Sequence, residues 1–434
     1  MFVINMTRQF NSLMLVKLLS NKYIHLIAFI FFYLFLIYEY IYFVIPYFED
    51  KGFMMVPETE KIVIGVLLFA FLSVKLFFLR QPSHFIYALS LFAAMSFCIP
   101  SIIMYQFGGI TLLIPIFAIV FIIFLTSRFL NIPSVKSIHI KFKDQKYILL
   151  ILTVLLIIPF VVTYGINFNK SVFSFGKEIY EVRAIAKLHS NVFTSYFFGA
   201  LTKVLLPSLI IYGLIRKNKL LWISGIILML YIFMINPHKS VFLSIFVVIA
   251  FYFFKDYRTK AGTMVLGIIA LLLATTVFTK FTGNILPESI FVRRMFFLPV
   301  YISDHYFTFF NNNQIYLSHS ILNPFMEYPY SLDPAMLMGN HIYNNPLTSC
   351  NTGIIGDGYM NFGIIGCFVF PFLTAIILRF LDALNMHHSF FGISFLFLVL
   401  FLNSALFTIL LTHGGLFYIF IGIFFFKNTN SELK

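Results

Sequence analysis

Apolar residues occur along this chain in long runs that are separated by short charged segments. A bilayer core is about 30 Å thick and a helix rises about 1.5 Å per residue, so runs of about 20 apolar residues are typical of membrane helices. The pattern predicts an all-α, polytopic membrane protein of about 12 transmembrane helices, with one large periplasmic loop between spans 9 and 10. The predicted spans are 24–46, 62–79, 84–104, 110–128, 147–165, 194–215, 220–236, 239–254, 262–278, 354–379, 391–410 and 414–426.

Composition supports this prediction, because 60% hydrophobic residues and 11% charged residues, with a mean hydropathy of +0.94, exclude an ordinary soluble domain. The first run, Ile24 to Phe48, is longer than the core of a signal peptide and lacks a small-residue cleavage pattern, so we expect a retained anchor. Cys98 and Cys367 fall in apolar spans, and Cys350 has no partner nearby in the sequence. No disulfide framework is therefore predicted.

The formal net charge of +14 comes mostly from Lys and Arg in short segments between apolar runs, where these residues orient the helices. In the twelve-span topology the basic clusters fall on one face together with both termini, so the positive-inside rule predicts cytoplasmic termini in a bacterial inner membrane. The partners expected from this pattern are membrane lipids, and no nucleic acid is predicted. The clusters are Arg8, Lys17 and Lys22; Lys136, Lys141 and Lys143; Arg216, Lys217 and Lys219; and Lys255, Arg258 and Lys260.

Two loops of a single membrane domain, 1–434, fall on the opposite face. They are a mid-chain loop, 166–193, and a large loop, 279–353. The large loop is rich in Phe, Tyr and Asn, and it carries the pair Arg293 and Arg294 and three histidines. Aromatic rings stack on sugars and guanidinium groups match phosphate oxygens. This mixture favours a sugar that is attached to a phosphate-linked carrier.

Three segments carry a resemblance to a known family. They are Val-Arg-Arg-Met-Phe-Phe-Leu-Pro at 292–299, Ser-His-Ser at 318–320, and Asn-Thr-Gly-Ile-Ile-Gly-Asp-Gly-Tyr-Met-Asn-Phe-Gly at 351–363. The chain resembles the O-antigen polymerases of the Wzy type, which are oligosaccharide repeat unit polymerases. Some members carry a periplasmic arginine followed eleven positions later by glycine. That motif is absent after Arg183 and after the arginine pair of the large loop.

The resemblance implies a metal-independent glycosyltransferase of lipopolysaccharide or related surface-polysaccharide biosynthesis. Its substrate is then an oligosaccharide repeat unit linked to undecaprenyl pyrophosphate, and polymerisation needs no nucleotide sugar. A chain-length regulator protein is a possible partner that is consistent with this resemblance. No C-x-x-C, H-E-x-x-H, Walker or Asp-x-Asp pattern occurs, so no cofactor and no metal site is expected.

Candidate ligands of the pyrophosphate and glycan follow from charge and from position. Lys203 falls near the middle of the sixth predicted span, where a charge costs about 3 kcal/mol and usually faces a cavity or a partner. If that span begins near Val204, Lys203 is interfacial instead. The alternatives are that Arg293 and Arg294 anchor an interfacial helix, 291–310, to anionic lipid, and that Lys239 is a snorkelling terminal lysine. The substrate-binding candidates are Arg183, Lys203, Lys239, Arg293, Arg294 and Tyr306.

His319 and Asp357 are the leading candidates for the general base that accepts the acceptor proton, with His305 and Asp304 behind them. Histidine needs little tuning near pH 7, whereas an aspartate would need burial. The alternatives are that His319 is a polar loop residue and that Asp357 caps a helix beginning at Gly358. For the glycines of this region, 353–366, we expect close helix packing.

Competing functions remain open. A lipid-linked oligosaccharide flippase would share the size and span count, but should show short loops and charges buried within helices. An O-antigen ligase would differ only in its acceptor. A glycosyltransferase that uses an acidic pair after the first span is a third alternative, but Glu49 and Asp50 are read as flanking charge.

Overall fold

The computed structural model describes residues 13–130, 132–134, 142–174, 176 and 178–425. The described residues form helices and connecting turns, and this part of the chain contains no extended strand, so the all-α prediction is confirmed for it. Predictions for both termini, and for Arg8, Lys136 and Lys141, fall outside the described residues.

Among the described residues, seven helices are long and apolar enough to cross a membrane, as a multi-pass membrane protein requires. Every predicted span overlaps at least one helix, but five of the overlapping apolar helices are shorter than a full span. The long helices are Lys22–Lys51, Thr59–Phe78, His84–Phe107, Gln145–Tyr164, Val192–Ile215, Tyr257–Thr282 and Ile354–Ala383. The shorter apolar helices are Leu113–Thr126, Lys219–Ile235, Lys239–Tyr252, His388–Asn403 and Gly415–Phe425.

The loops contain helices of their own. The large loop begins after Thr282, since the preceding helix extends beyond the predicted start at Thr279. The loop helices are Lys170–Ser174, Glu178–His189, Leu286–Glu288, Ser289–Phe297, Leu298–Phe309 and Pro334–Tyr343. Two of these helices, Ser289–Phe297 and Leu298–Phe309, cover the stretch predicted at 291–310, which is therefore confirmed as helical.

Contacts group the chain into two compact units. The first unit consists of Met1–Asn131, Asp256–Arg379 and Leu398–Leu406, and the second of Ile132–Lys255, Phe380–Phe397 and Phe407–Lys434. The single membrane domain inferred from the sequence stays a prediction.

Contacts at the helix ends show which loops of the first unit lie at the same end. At one end, Arg379 donates from Nε and Nη2 to the carbonyl of Leu130, at 3.1 and 3.0 Å. At the other end, the amide of Val56 donates to the carbonyl of Phe107 at 2.7 Å. The amide of Thr111 at this second end donates to Oδ1 of Asp304 in the large loop, at 3.0 Å. The large loop therefore covers the end that carries the 52–58 and 108–112 turns.

Two predicted spans are interrupted. Within the predicted span 354–379, Phe362 and Gly363 have non-helical dihedrals, with φ of +57° at Gly363, and the chain bends between the helical stretches 354–361 and 364–383. The span predicted at 391–410 is wrong as one helix, because it ends at Asn403 and a separate helix, Leu406–Leu411, follows.

Hydrogen bonds connect the helix ends of the second unit. Tyr231 donates its hydroxyl to the carbonyl of Gly165 at 2.6 Å, and Asn191 caps the helix Val192–Ile215 through a reciprocal pair of bonds with Thr194. At the opposite end, Tyr252 donates to the carbonyl of Leu214 at 3.0 Å. The mid-chain loop therefore lies at the same end of this unit as the 236–238 turn.

Candidate functional site

The helix Glu178–His189 places Arg183 against a turn between two apolar helices. Its Nε and Nη2 both donate to the carbonyl of Pro237, at 3.1 and 2.7 Å. This fork fixes the guanidinium group, which is partly buried, and burial lowers its pKa. Arg183 is thus held beside His238 rather than pointing freely into solvent.

The ring of Tyr180 connects Arg183 with a second predicted ligand. The Cζ atom of Arg183 lies 5.7 Å from the centre of this ring, and Nζ of Lys239 lies 6.0 Å from it. Both cations are within the range of a cation–π contact. The structure therefore brings Arg183 and Lys239 together on one aromatic face.

Lys203 lies near the middle of the helix Val192–Ile215, as the sequence predicted, in a wider π-helical turn formed by Ala200–Leu205. Its side chain is partly buried. It makes neither a hydrogen bond nor an ion pair with any residue that the structure describes. A π-helical turn in a helix is frequently found at functional sites.

The charge of Lys203 acts on two histidines, His238 and His413. Burial, followed by the charges of Arg183 and Lys203, lowers the pKa of His238 to about 4. Burial, followed by the charge of Lys203 and by His238, lowers the pKa of His413 to about 3. We name Arg183, Lys203, His238 and His413 the basic group.

Glycine makes the position of His413 possible. A Cβ atom at Gly199 would lie 2.5 Å from Cα of His413. Gly414 has a φ of +85°, and a Cβ atom there would lie 2.8 Å from Cα of Ala200. His413 was not among the residues predicted from the sequence. Its only signal is Thr-His-Gly-Gly at 412–415 between two apolar runs.

The basic group has the properties of an anion site. Within the part of the chain that is described, no carboxylate is among the charges that shift the pKa of its two histidines. Arg183 and Lys203 have no carboxylate partner among the described residues, and the buried Nδ1 of His413 has no hydrogen-bond partner there. An anion with oxygen acceptors could bind to these partly buried groups.

The arginine pair of the large loop belongs to the first unit. Cζ of Arg293 lies 4.2 Å from the ring centre of Phe48, and its Nε donates to Oγ of Ser289 at 3.4 Å. Burial lowers the pKa of Arg293, and the charges of Arg294 and Asp50 act on it in opposite directions. Arg294 is exposed.

His319 is partly buried in the large loop, and its Nδ1 has no hydrogen-bond partner among the described residues. Its ring centre is 6.1 Å from that of Tyr328. Burial lowers the pKa of His319, and the charge of Asp333 opposes this effect. The imidazole is therefore neutral at pH 7, as a general base must be.

His305 and Asp304 occupy the neighbouring helix Leu298–Phe309. The ring of His305 lies 4.5 Å from that of Tyr301 and 6.0 Å from that of His341. Burial lowers the pKa of His305, and burial raises that of Asp304, whose Oδ1 is already bonded to Thr111. These two residues connect the large loop to the helices beneath it.

Asp357 and Tyr306 make internal contacts. Asp357 is buried, its Oδ2 accepts from the amide of Leu406 at 2.8 Å, and its Oδ1 accepts from Nδ2 of Asn361 at 3.0 Å. It does not cap a helix at Gly358, because that helix begins at Ile354, and that alternative is wrong. Tyr306 is also buried, and its hydroxyl donates to the carbonyl of Cys350 at 3.0 Å.

A buried carboxyl pair is a second feature that the sequence analysis missed. Oε1 of Glu39 accepts from the hydroxyl of Thr276 at 2.6 Å, whereas Oε2 has no such partner among the described residues. Glu288, also buried, interacts with the carboxyl group of Glu39. An acidic residue inside the first apolar run was the available signal.

The predicted site residues thus divide between the units. Arg183, Lys203 and Lys239 belong to the second unit, and Arg293, Arg294, Tyr306, His319 and Asp357 to the first. Comparisons with protein-family models, with curated proteins and with solved structures found no match to this chain.

Proposed function

We propose that this chain polymerises oligosaccharide repeat units carried on undecaprenyl pyrophosphate, as an O-antigen polymerase of the Wzy type. The observation that carries the proposal is the basic group, in which Arg183 and Lys203 lie with two histidines, and no carboxylate is among the described charges that act on those histidines. A pyrophosphate supplies the negative charge and the acceptors that this group lacks. Lys239 extends the positive surface along the ring of Tyr180.

In the proposed reaction, the anomeric carbon of the growing glycan loses its bond to the pyrophosphate oxygen and forms a bond to a hydroxyl oxygen of the incoming unit. The hydroxyl proton passes to a base, and undecaprenyl pyrophosphate leaves with the bonding electron pair. Cations aimed at the leaving group stabilise its developing charge, typically by about 3 kcal/mol for each well-placed donor. Arg183, Lys203 and Lys239 serve that role, and Arg293 and Arg294 bind the anionic carrier of a lipid-linked unit.

His319 is the preferred base. Its buried Nδ1 has no partner among the described residues, and burial keeps the ring neutral at pH 7. Asp357 is less suited, because both of its oxygens already accept hydrogen bonds. The second role proposed for Asp357 is therefore to hold the start of the helix Leu406–Leu411.

The proposed topology has twelve spans in a bacterial inner membrane, with both termini in the cytoplasm and with loops 166–193 and 279–353 in the periplasm. The helix ends of the first unit support this arrangement. Arg379 contacts Leu130 at one end, and Asp304 of the large loop contacts Thr111 at the other. Within the first unit, the proposed cytoplasmic turn at Leu130 and the proposed periplasmic loop 279–353 therefore lie at opposite ends, which is consistent with the positive-inside rule.

A flippase is the second candidate, because charged residues are buried within apolar helices. Glu39 and Lys260 have no exposed surface, and Arg379 is 5% exposed. Such residues often line a path through the membrane. An O-antigen ligase shares the leaving group and differs in the acceptor.

Deletion of the gene in its host separates these functions. Gel analysis of the surface polysaccharide should show a single repeat unit on the lipid core if the chain is the polymerase. Absence of any repeat unit on the core would favour the flippase, and lipid-linked polymer that fails to reach the core would favour the ligase. Normal polymer would exclude all three.

A further inference from the structure

One end of the first unit contains a cavity of about 590 Å³ that is separate from the residues assigned above. Lys22, Arg80 and Arg258 line it, together with the imidazole of His84. Lys22 and Arg258 lie at the beginnings of two helices, Lys22–Glu39 and Tyr257–Thr282. All four side chains are exposed, so a ligand can reach them from outside.

The turn that carries Arg80 is held at both ends. Gln81 donates from Nε2 to the carbonyl of Lys75 at 2.7 Å, which attaches the turn to the preceding helix. Oγ of Ser83 accepts from the amide of Ile86 at 3.0 Å and caps the following helix. The position of Arg80 is therefore set by the backbone and not by a loose loop.

The electrostatics of the cavity favour an anion. The helices that begin at Lys22, His84 and Tyr257 add the partial positive charges of their N-termini to the side-chain charges. Asp256 lies at this end, but its Oδ2 accepts from the amide of Thr259 at 3.0 Å, and its Oδ1 is 4.0 Å from Nδ1 of His84. Three permanent cations thus line the cavity, whereas no carboxylate lines it among the described residues.

The wall next to Arg80 is apolar. Phe78 is 62% exposed and Leu79 is 52% exposed, and both line the cavity. Cations beside exposed apolar side chains match a molecule that has both a phosphate and acyl chains. Basic pockets between membrane helices are known to bind acidic lipid headgroups.

We propose that this cavity binds the phosphodiester headgroup of an anionic phospholipid. Lys22, Arg80 and Arg258 contact the phosphate, while Phe78 and Leu79 contact the first methylene groups of the acyl chains. The proposal is independent of the polymerase proposal, since it uses none of the same residues.

Native mass spectrometry of the full-length protein in mild detergent tests the proposal, with phosphatidylglycerol and zwitterionic phosphatidylcholine as probes. We expect one tightly held phosphatidylglycerol and weak binding of phosphatidylcholine. A cation near an acidic headgroup contributes about fivefold in affinity, so the double variant Arg80→Ala, Arg258→Ala should bind phosphatidylglycerol roughly 25-fold more weakly. The matched control, Arg216→Ala with Lys219→Ala, removes two exposed cations from the second unit and should bind normally.

Unchanged phosphatidylglycerol affinity in the double variant would overturn the site, and equal retention of phosphatidylcholine would overturn the headgroup preference. If free glycerol phosphate displaced the lipid at equal concentration, the ligand would be a soluble phosphate and the lipid assignment would be wrong. Should the double variant fail to fold, Arg80→Gln alone must lower the affinity about fivefold.

Discussion

Lys203 is the residue at which the free-energy cost of burying a charge bears most directly on function. A lysine near the middle of an apolar helix costs about 3 kcal/mol unless it faces a cavity or a partner. The side chain has no ion pair within the described residues, and its charge reaches both His238 and His413. An anion that binds beside Lys203 would offset this free-energy cost.

Replacing Arg183 with alanine should shorten or abolish the polymer and lower the turnover of purified lipid-linked units roughly a hundredfold, because one donor to the leaving group is lost. Arg183→Lys should restore only part of the activity, since lysine cannot reproduce the forked contact with Pro237. Lys187→Ala is the control, because Lys187 is exposed on the same helix. Equal activity in both alanine variants would remove Arg183 from the mechanism.

The pH profile tests His319 as the base. Burial lowers its pKa below the ordinary 6.5, so the imidazole stays unprotonated to a lower pH than a free histidine. Turnover should therefore be constant from pH 8 down to about 6.5 and should fall only below that value. His319→Ala should cost roughly two orders of magnitude. A profile that keeps its acid limb in this variant would assign the limb to another group.

The histidines of the basic group predict how stability changes with pH. The pKa of His413 is about 3 in the folded chain and about 6.5 when unfolded, so the unfolded chain binds more protons between these values. Stability should be fully present above about pH 6.5 and should decrease as the pH falls toward 3. The Tm of His413→Asn should fall less between pH 7.5 and pH 5 than that of the parent. His189→Asn, at an exposed position, should follow the parent.

At the scale of the helix, glycine decides how closely backbones approach. The bend at Phe362 and Gly363 brings Gly358 and Gly366 into backbone contact, and a Cβ atom on either one would collide with the other. The packing role expected for the glycines of 353–366 is confirmed for this pair. Hydropathy could not reveal the bend, because it carries no information about the backbone dihedrals of Phe362 and Gly363.

A substitution in this contact should measure its value. Gly366→Ala should destabilise the chain by about 1–3 kcal/mol, the range for overpacking, and should lower the Tm in detergent. Gly267→Ala is the matched control, because a Cβ atom there meets nothing within 4 Å, and it should leave the Tm unchanged or raise it slightly. If both variants had the same Tm, the contact between the two stretches of 354–383 would not contribute to stability.

For the whole molecule, the distribution of Lys and Arg along the chain predicts an orientation in the membrane that can be tested. A reporter that is active only in the periplasm should be active when fused at Asn313 in the large loop and silent when fused at Lys217, because the positive-inside rule places the basic turns in the cytoplasm. A fusion at Gly165, at the end of the unit that carries Arg183, should be active as well. Activity at Lys217 with silence at Asn313 would invert the topology and exclude a periplasmic site.

Several features of the site were predictable from the sequence. Lys203 stood out as a charge within an apolar run, and Arg183 and Lys239 stood out as cations on the predicted outer face. His413 and Glu39 were not recognised as site residues, although Glu39 lies within the first apolar run and His413 lies between the last two. Their importance depends on which groups surround them, and single-sequence patterns carry no information about neighbours that are distant in the chain.

Hydropathy along the chain is enough to assign the helical class and the approximate helix positions, because apolar runs must satisfy their backbone hydrogen bonds internally wherever water is excluded. It also determined which side chains are costly to bury. Three features are visible only in the folded chain. Arg183 donates hydrogen bonds to the carbonyl of Pro237, Asp357 accepts a hydrogen bond from the amide of Leu406, and the chain bends at Gly363. These outcomes depend on contacts across long sequence separations, where shape and hydrogen-bond geometry act and local hydropathy does not.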